Sequence, residues 1–246
     1  MLIPHLQAPH LAGAAWQPLL DGGERDRALE LVWQIGKAVR DWQEAPSAPT
    51  LLGGAGIAVF CAYGEAAGVL ERVDVAGMLA GCVARAGEAG LPVGLWNGCA
   101  GLRWAIAHLA EGDAAAAITA RLDAAIALAL ESAPADMAFD LYSGLAGVLL
   151  AYADDDSPAG RGIVQAVLDR LAAIDWANAR PTAGCAHGVA GVVAALAGVA
   201  SARPALADPA RRLLRALVRQ VRHDWMYHFH NSLDDSTGLY AIVREM

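Results

Sequence analysis

The sequence predicts an all-α protein, an incomplete α/α toroid of repeated outer–inner helix pairs. Three observations carry the prediction. Gly-x-x-Gly signatures begin at Gly53, Gly98, Gly144 and Gly188, at steps of 45, 46 and 44 residues. Each opens a largely apolar run: Ile57 to Ala62, Leu102 to Leu109, Val148 to Ala153 and Val192 to Val199. Charged amphipathic segments alternate with these runs, and no segment shows the two-residue alternation of a strand over any length. A fixed period of this size means one supersecondary unit repeated along the chain. The next signature is due near residue 233, where Leu233-Asp234-Asp235-Ser236 stands instead.

The elements follow in order. Glu24 to Trp42 is amphipathic and ends before Ala45-Pro46-Ser47. Gly54 to Val69 is the first apolar helix, and Val73 to Glu88 is amphipathic, stopped by Gly90 and Pro92. Cys99 to Ala110 is mostly apolar, and Asp113 to Glu131 is amphipathic and Ala-rich, ending before Pro134. Leu145 to Tyr152 and Val189 to Val199 are apolar, while Gly160 to Ala173 and Ala207 to Arg222 are amphipathic. Alanine favours helix throughout. Apolar helices shielded by amphipathic ones give two shells. Residues 1–223 read as the repeat domain. Residues 224–246 read as a divergent tail, with Ala241 its only alanine.

Bulk properties narrow the function. The chain has 246 residues, 56% of them hydrophobic, and a mean hydropathy of +0.36. The longest uncharged apolar run, Gly188 to Ala200, falls short of the roughly 18 residues of a membrane span. The N-terminus lacks the basic and apolar regions of a secretory signal. Cys61, Cys82, Cys99 and Cys185 show no disulfide-scaffold or Cys-x-x-Cys spacing, so a cytoplasmic location is expected. A net charge of −8 and a pI of about 5.3 exclude a basic nucleic-acid surface. Arg211, Arg212, Arg215, Arg219 and Arg222 read as one solvated helix face.

Glycine costs about 1 kcal/mol in a helix interior, so repeated glycines need an offsetting gain. Three apart, they share a helix face and let it approach a neighbouring backbone. They also predict helix-terminal N–H groups left facing a central cavity. All signature ends would share one rim. The residues just before each signature, Leu52, Asn97, Ser143 and His187, converge there, with Asp140 four before Gly144. Asp140 and His187 thus fall on one rim, one repeat apart. An aspartate beside a histidine orients the imidazole and suits general acid/base work. The plainer reading is that both only cap helices.

At these residues the chain resembles the lanthionine synthetase C-like cyclases. Gly184-Cys185-Ala186-His187-Gly188-Val189-Ala190-Gly191 is similar to the family's Ala-His-Gly-(Ile/Val)-x-Gly motif. Phe139-Asp140-Leu141-Tyr142-Ser143-Gly144-Leu145-Ala146-Gly147 resembles its Asp-x-x-x-Gly-Leu-x-Gly motif, and Gly98 to Leu109 its Gly-x-x-Gly-x-x-Trp-Ala segment. The resemblance implies a toroid of seven hairpins. It also implies a ribosomally made precursor peptide as substrate, in which a cysteine thiol adds to a dehydroamino acid to give a thioether ring. It assigns His187 as the active-site histidine and Asp140 as its carboxylate partner. In the family, zinc held by Trp-Cys and Cys-His-Gly motifs activates the thiol.

Neither a Trp-Cys nor a Cys-His dipeptide occurs here, so no cofactor is expected for this chain alone. Cys99, Cys185 and His187 form one substitute metal set to consider, and His223, His228 and His230 a weaker one. The tail fits a truncated or frameshifted product, or a short natural chain with its own cap. An unclosed toroid also predicts an exposed apolar flank. The expected function is that of a peptide cyclase incomplete on its own. The alternative is a non-catalytic module that binds the peptide or partners a dehydratase or another synthetase chain. A toroidal glycosidase would need a second carboxylate across from Asp140, and Glu65 and Glu111 are expected elsewhere.

Overall fold

The structure is a computed structural model that describes residues 19–42, 48–134, 136–176 and 184–232. Among them nine α-helices form and no sheet does: α1 (Gly22–Trp42), α2 (Gly54–Ala66), α3 (Val75–Ala89), α4 (Cys99–Leu109), α5 (Asp113–Ser132), α6 (Leu145–Ala151), α7 (Pro158–Ala173), α8 (Val189–Ala202) and α9 (Pro204–Ser232). α9 runs on across position 224. The sequence at 233–236, where a fifth signature is due, lies outside the described residues, as do the side chains of His223, His228 and His230.

Local chemistry sets the helix ends. Asp74 caps α3 by accepting from the Gly77 N–H at 2.9 Å, and Gly90 closes it in the left-handed region at φ 62°. Ser157 caps α7 ahead of Pro158, which lacks the N–H that a first helical residue leaves unused. The signature helices α2, α4, α6 and α8 are capped by Gly53, Gly98, Gly144 and Gly188 with no side-chain hydrogen bond.

The inner layer is α2, α4, α6 and α8, each packed on the next in chain order. α6 is buried on nearly every side, with only Leu150 of its seven residues exposed. The outer helices pair otherwise than the sequence order implied. Each inner helix packs chiefly on the outer helix that follows it: α2 on α3, α4 on α5, α6 on α7, α8 on α9. The hairpin is therefore inner-then-outer, because a short connection brings the next helix straight back over the apolar one. Among the described residues α2 and α8 do not touch, so the series is open between its first and last hairpins.

Two apolar clusters form the core, one around α2, α3 and α4 and one around α5 to α9; Leu51 and Trp104 pack against both. α1 touches α2 alone among the helices. The Leu70 side chain fills a notch formed by Gly36 of α1 and Gly64 of α2, where an added Cβ at either glycine would overlap it.

Candidate functional site

The glycines explain themselves at the rim. A Cβ on the second glycine of each signature would overlap a carbonyl of its own preceding loop: Leu51 for Gly56, Leu95 for Gly101, Leu141 for Gly147, Cys185 for Gly191. It would also crowd a leucine of the previous repeat, Leu51 at 2.9 Å from Gly101 and Leu95 and Leu141 at 2.8 Å from Gly147 and Gly191. The N-termini of α2, α4 and α6 do not face a cavity with open N–H groups. Their loops fold over them: Gly54 donates to Ala48, Cys99 to Pro92, Leu145 to Ala138 and Ala146 to Phe139, at 2.8 to 3.1 Å. A buried N–H group needs such a partner, and these carbonyls are the nearest ones.

A second regularity joins the loops to one another. The Leu52 N–H donates to the Trp96 carbonyl at 3.1 Å, Trp96 to Tyr142 at 3.0 Å, and Tyr142 to Ala186 at 3.1 Å. This one-way ladder puts the pre-signature residues side by side, and it brings Asp140 and His187 together. His187 Nδ1 lies 3.5 Å from Asp140 Oδ2, and the Tyr142 ring packs against the imidazole at a centroid distance of 4.9 Å. The other oxygen, Oδ1, accepts from the Ser143 N–H at 2.7 Å. That bond fixes the carboxylate, which is 14% exposed, against an imidazole that is 64% exposed. Asp140 does not cap α6, whose cap is Gly144.

The cysteines go elsewhere. Cys99 is half-buried, its thiol turned to the Leu91 carbonyl at 3.6 Å, and burial pushes that thiol up from its ordinary value. Cys185 is exposed. Among the described residues no three His, Cys, Asp or Glu side chains gather closely enough to hold a metal ion, so Cys99, Cys185 and His187 do not form the substitute set. These donors do not fit a zinc site. Glu65 accepts from the Val73 N–H at 3.4 Å, serving its own turn rather than the rim.

Two groups were not legible in the sequence. Arg103 sits in the apolar α4 and donates through Nε to Asp123 of α5 at 2.8 Å and through Nη2 to Asp155. The Tyr152 hydroxyl donates to Asp123 at 2.6 Å, and the Arg103 guanidinium lies 4.6 Å from the Tyr152 ring centroid. Burial first, and then Asp123, drive the Tyr152 phenol far up, so it stays a donor. Arg203 donates to the Tyr152 and Ala153 carbonyls at 2.6 and 2.7 Å, tying the start of α9 to the end of α6. An arginine in an uncharged inner helix was the available signal, since a buried charge needs a partner. The second group is aromatic: Trp104 lies flat on His108 at 4.8 Å, and Tyr63 Oη lies 2.7 Å from His108 Nε2.

A cavity of about 1110 Å³ runs along α2, α4 and α6, lined by Leu52, Trp96, Trp104, His108, Leu150 and Asp155 among others. Asp140 and His187 are not among its walls; they lie where the last two described loops of the ladder meet. The chain matches the family described as lanthionine synthetase C-like protein over residues 49–236. No curated protein and no solved structure matches it.

Proposed function

Because the chain belongs to the lanthionine synthetase C-like family, we propose that it serves thioether ring formation in a ribosomally made precursor peptide. In this reading His187 is the proton donor and Asp140 its positioning partner. The observation that supports it is the 3.5 Å contact between an exposed imidazole and a carboxylate held by its own loop. The sulfur of a peptide thiolate adds to the β-carbon of a dehydroalanine, and the double-bond electrons move to the carbonyl oxygen as an enolate. His187 gives a proton to the α-carbon from Nε2, the nitrogen not turned to Asp140. Neutral imidazole then remains beside the carboxylate.

The thiol is the step this chain does not serve by itself. A free cysteine near pKa 8.5 is only a few per cent ionised at neutral pH. Among the described residues no three His, Cys, Asp or Glu side chains gather into a set that could hold a metal to activate it. That observation also supports the second reading, a module that binds the peptide for another synthetase chain.

The test uses a dehydrated peptide and the full chain. A peptide bearing its own cysteine should bind but cyclise no faster than the uncatalysed reaction at neutral pH, with or without zinc. Zinc-dependent rings would show an unrecognised ligand set. A small thiol supplied already ionised bypasses the activation step. Its addition should be accelerated, and His187→Ala should cut that acceleration by about 10²-fold, the ordinary range for a general acid. Peptide binding with no acceleration of the thiolate would leave the binding module as the function.

A further inference from the structure

The ladder repeats one junction three times and leaves two halves of a fourth. At every junction the earlier repeat supplies an N–H and a leucine, while the later repeat supplies a carbonyl and a glycine notch. Leu52, Trp96 and Tyr142 donate, and Leu51, Leu95 and Leu141 fill the notches at Gly101, Gly147 and Gly191. The last repeat carries the supplying half. The Ala186 N–H has no acceptor among the described residues, and Cys185 stands where the three leucines stand. Gly184 to His187 are all exposed, whereas Leu95, at the matching place inside the array, is 7% exposed. The first repeat carries the receiving half. The Leu52 carbonyl takes no hydrogen bond among the described residues. The three atoms nearest a Cβ added to Gly56 all belong to Leu51 of its own loop, where the later signatures each meet a leucine of the previous repeat as well.

We propose that a second copy of this chain docks head to tail across these two edges. Ala186 of one copy donates to the Leu52 carbonyl of the other, and Cys185 enters the notch at Gly56. The occupant is a second copy because the half that complements the last repeat is present on the first repeat of the same chain. Cysteine is a small apolar group that suits the notch. The flanks agree. α1, at the receiving edge, leaves Leu31, Trp33 and Ile35 exposed, and α9, at the other, leaves Val218 exposed. Such a contact is heterologous, so two copies either close into a ring or grow into longer species. It also covers the loop that bears His187 with the first-repeat loop of the partner copy. The inference stands whether or not the peptide reading holds.

Sedimentation and native mass measurements on the full chain across the micromolar range should give dimers or larger species. Cys185→Glu, at an exposed position, should weaken association by at least about tenfold, a factor of ten being 1.4 kcal/mol, with unchanged helical circular dichroism. A chain carrying both Leu52→Cys and Cys185→Ser, mixed with the unaltered chain, should be cross-linked to it by a short thiol-specific reagent through Cys185. A monomer throughout that range would overturn the proposal, as would association indifferent to Cys185→Glu or lacking that cross-link. So would a cross-link within one chain carrying Leu52→Cys alone, since the two edges would then meet each other.

Discussion

Arg103 carries a charge into the inner layer, and the chain answers it with Asp123, Tyr152 and Asp155. Its side chain and that of Asp123 are each 9% exposed, so removing one strands the other. Arg103→Ala should cost about 3–5 kcal/mol in urea unfolding, the range for a broken buried pair. Tyr152→Phe should cost less, because it deletes one of several donors to Asp123. Asp155 sets a pH dependence. Burial works against its ionisation, but the Ser157 N–H and hydroxyl and the Arg103 guanidinium outweigh it, so its carboxyl is held below the ordinary value. A carboxylate lowered on folding adds stability that is present above the unfolded value near about pH 4 and lost as pH falls through the folded one. Thermal melts should hold steady from neutral pH to about pH 5 and fall below about pH 4. Asp155→Asn should lower stability at neutral pH and flatten that fall. Arg103 in an uncharged helix signalled a buried partner, but the sequence did not say which, since Asp123 and Asp155 stand 20 and 52 residues from it with no shared phase. The phase of Asp140 and His187 was readable, because both are counted from a signature.

At the scale of the element, the sequence located the inner helices well, because glycine punctuates them at a fixed interval. Their outer partners were misassigned, since order along the chain does not say whether a helix folds forward or back. The reason for the glycines was half visible. Close approach was predictable, but its object proved to be the loop of the same repeat and one leucine of the previous one. Gly101→Ala and Gly147→Ala should therefore destabilise by about 1–3 kcal/mol, as overpacking does. Backbone carbonyls, which have little room to yield, stand in the way. Gly87→Ala is the counterpart. It lies in α3 with nothing within 4 Å of an added Cβ, so it should gain about 0.5–1 kcal/mol. Urea unfolding of the three variants checks both signs.

For the whole molecule, stability in a row of hairpins is a sum of units and their interfaces. α6 has a neighbour on either side in the inner layer and α7 behind it, whereas α2 has a hairpin on one side only. Amide exchange should therefore be slowest in α6 and fastest in α1.

Leu70 gives that last expectation a sharper form. One side chain, lodged against a glycine on each of two helices, works as a bolt. Pulling a bolt frees a part without wrecking the machine. Leu70→Ala should let α1 swing away and be clipped by a protease between residues 22 and 42, while the remainder resists digestion as before. Equal resistance in the variant would mean that α1 is welded on by its other contacts with α2. If the clipped remainder keeps its helical signal and its melting transition, the molecule can be read as a core with a removable leading arm, able to shed that arm without unfolding.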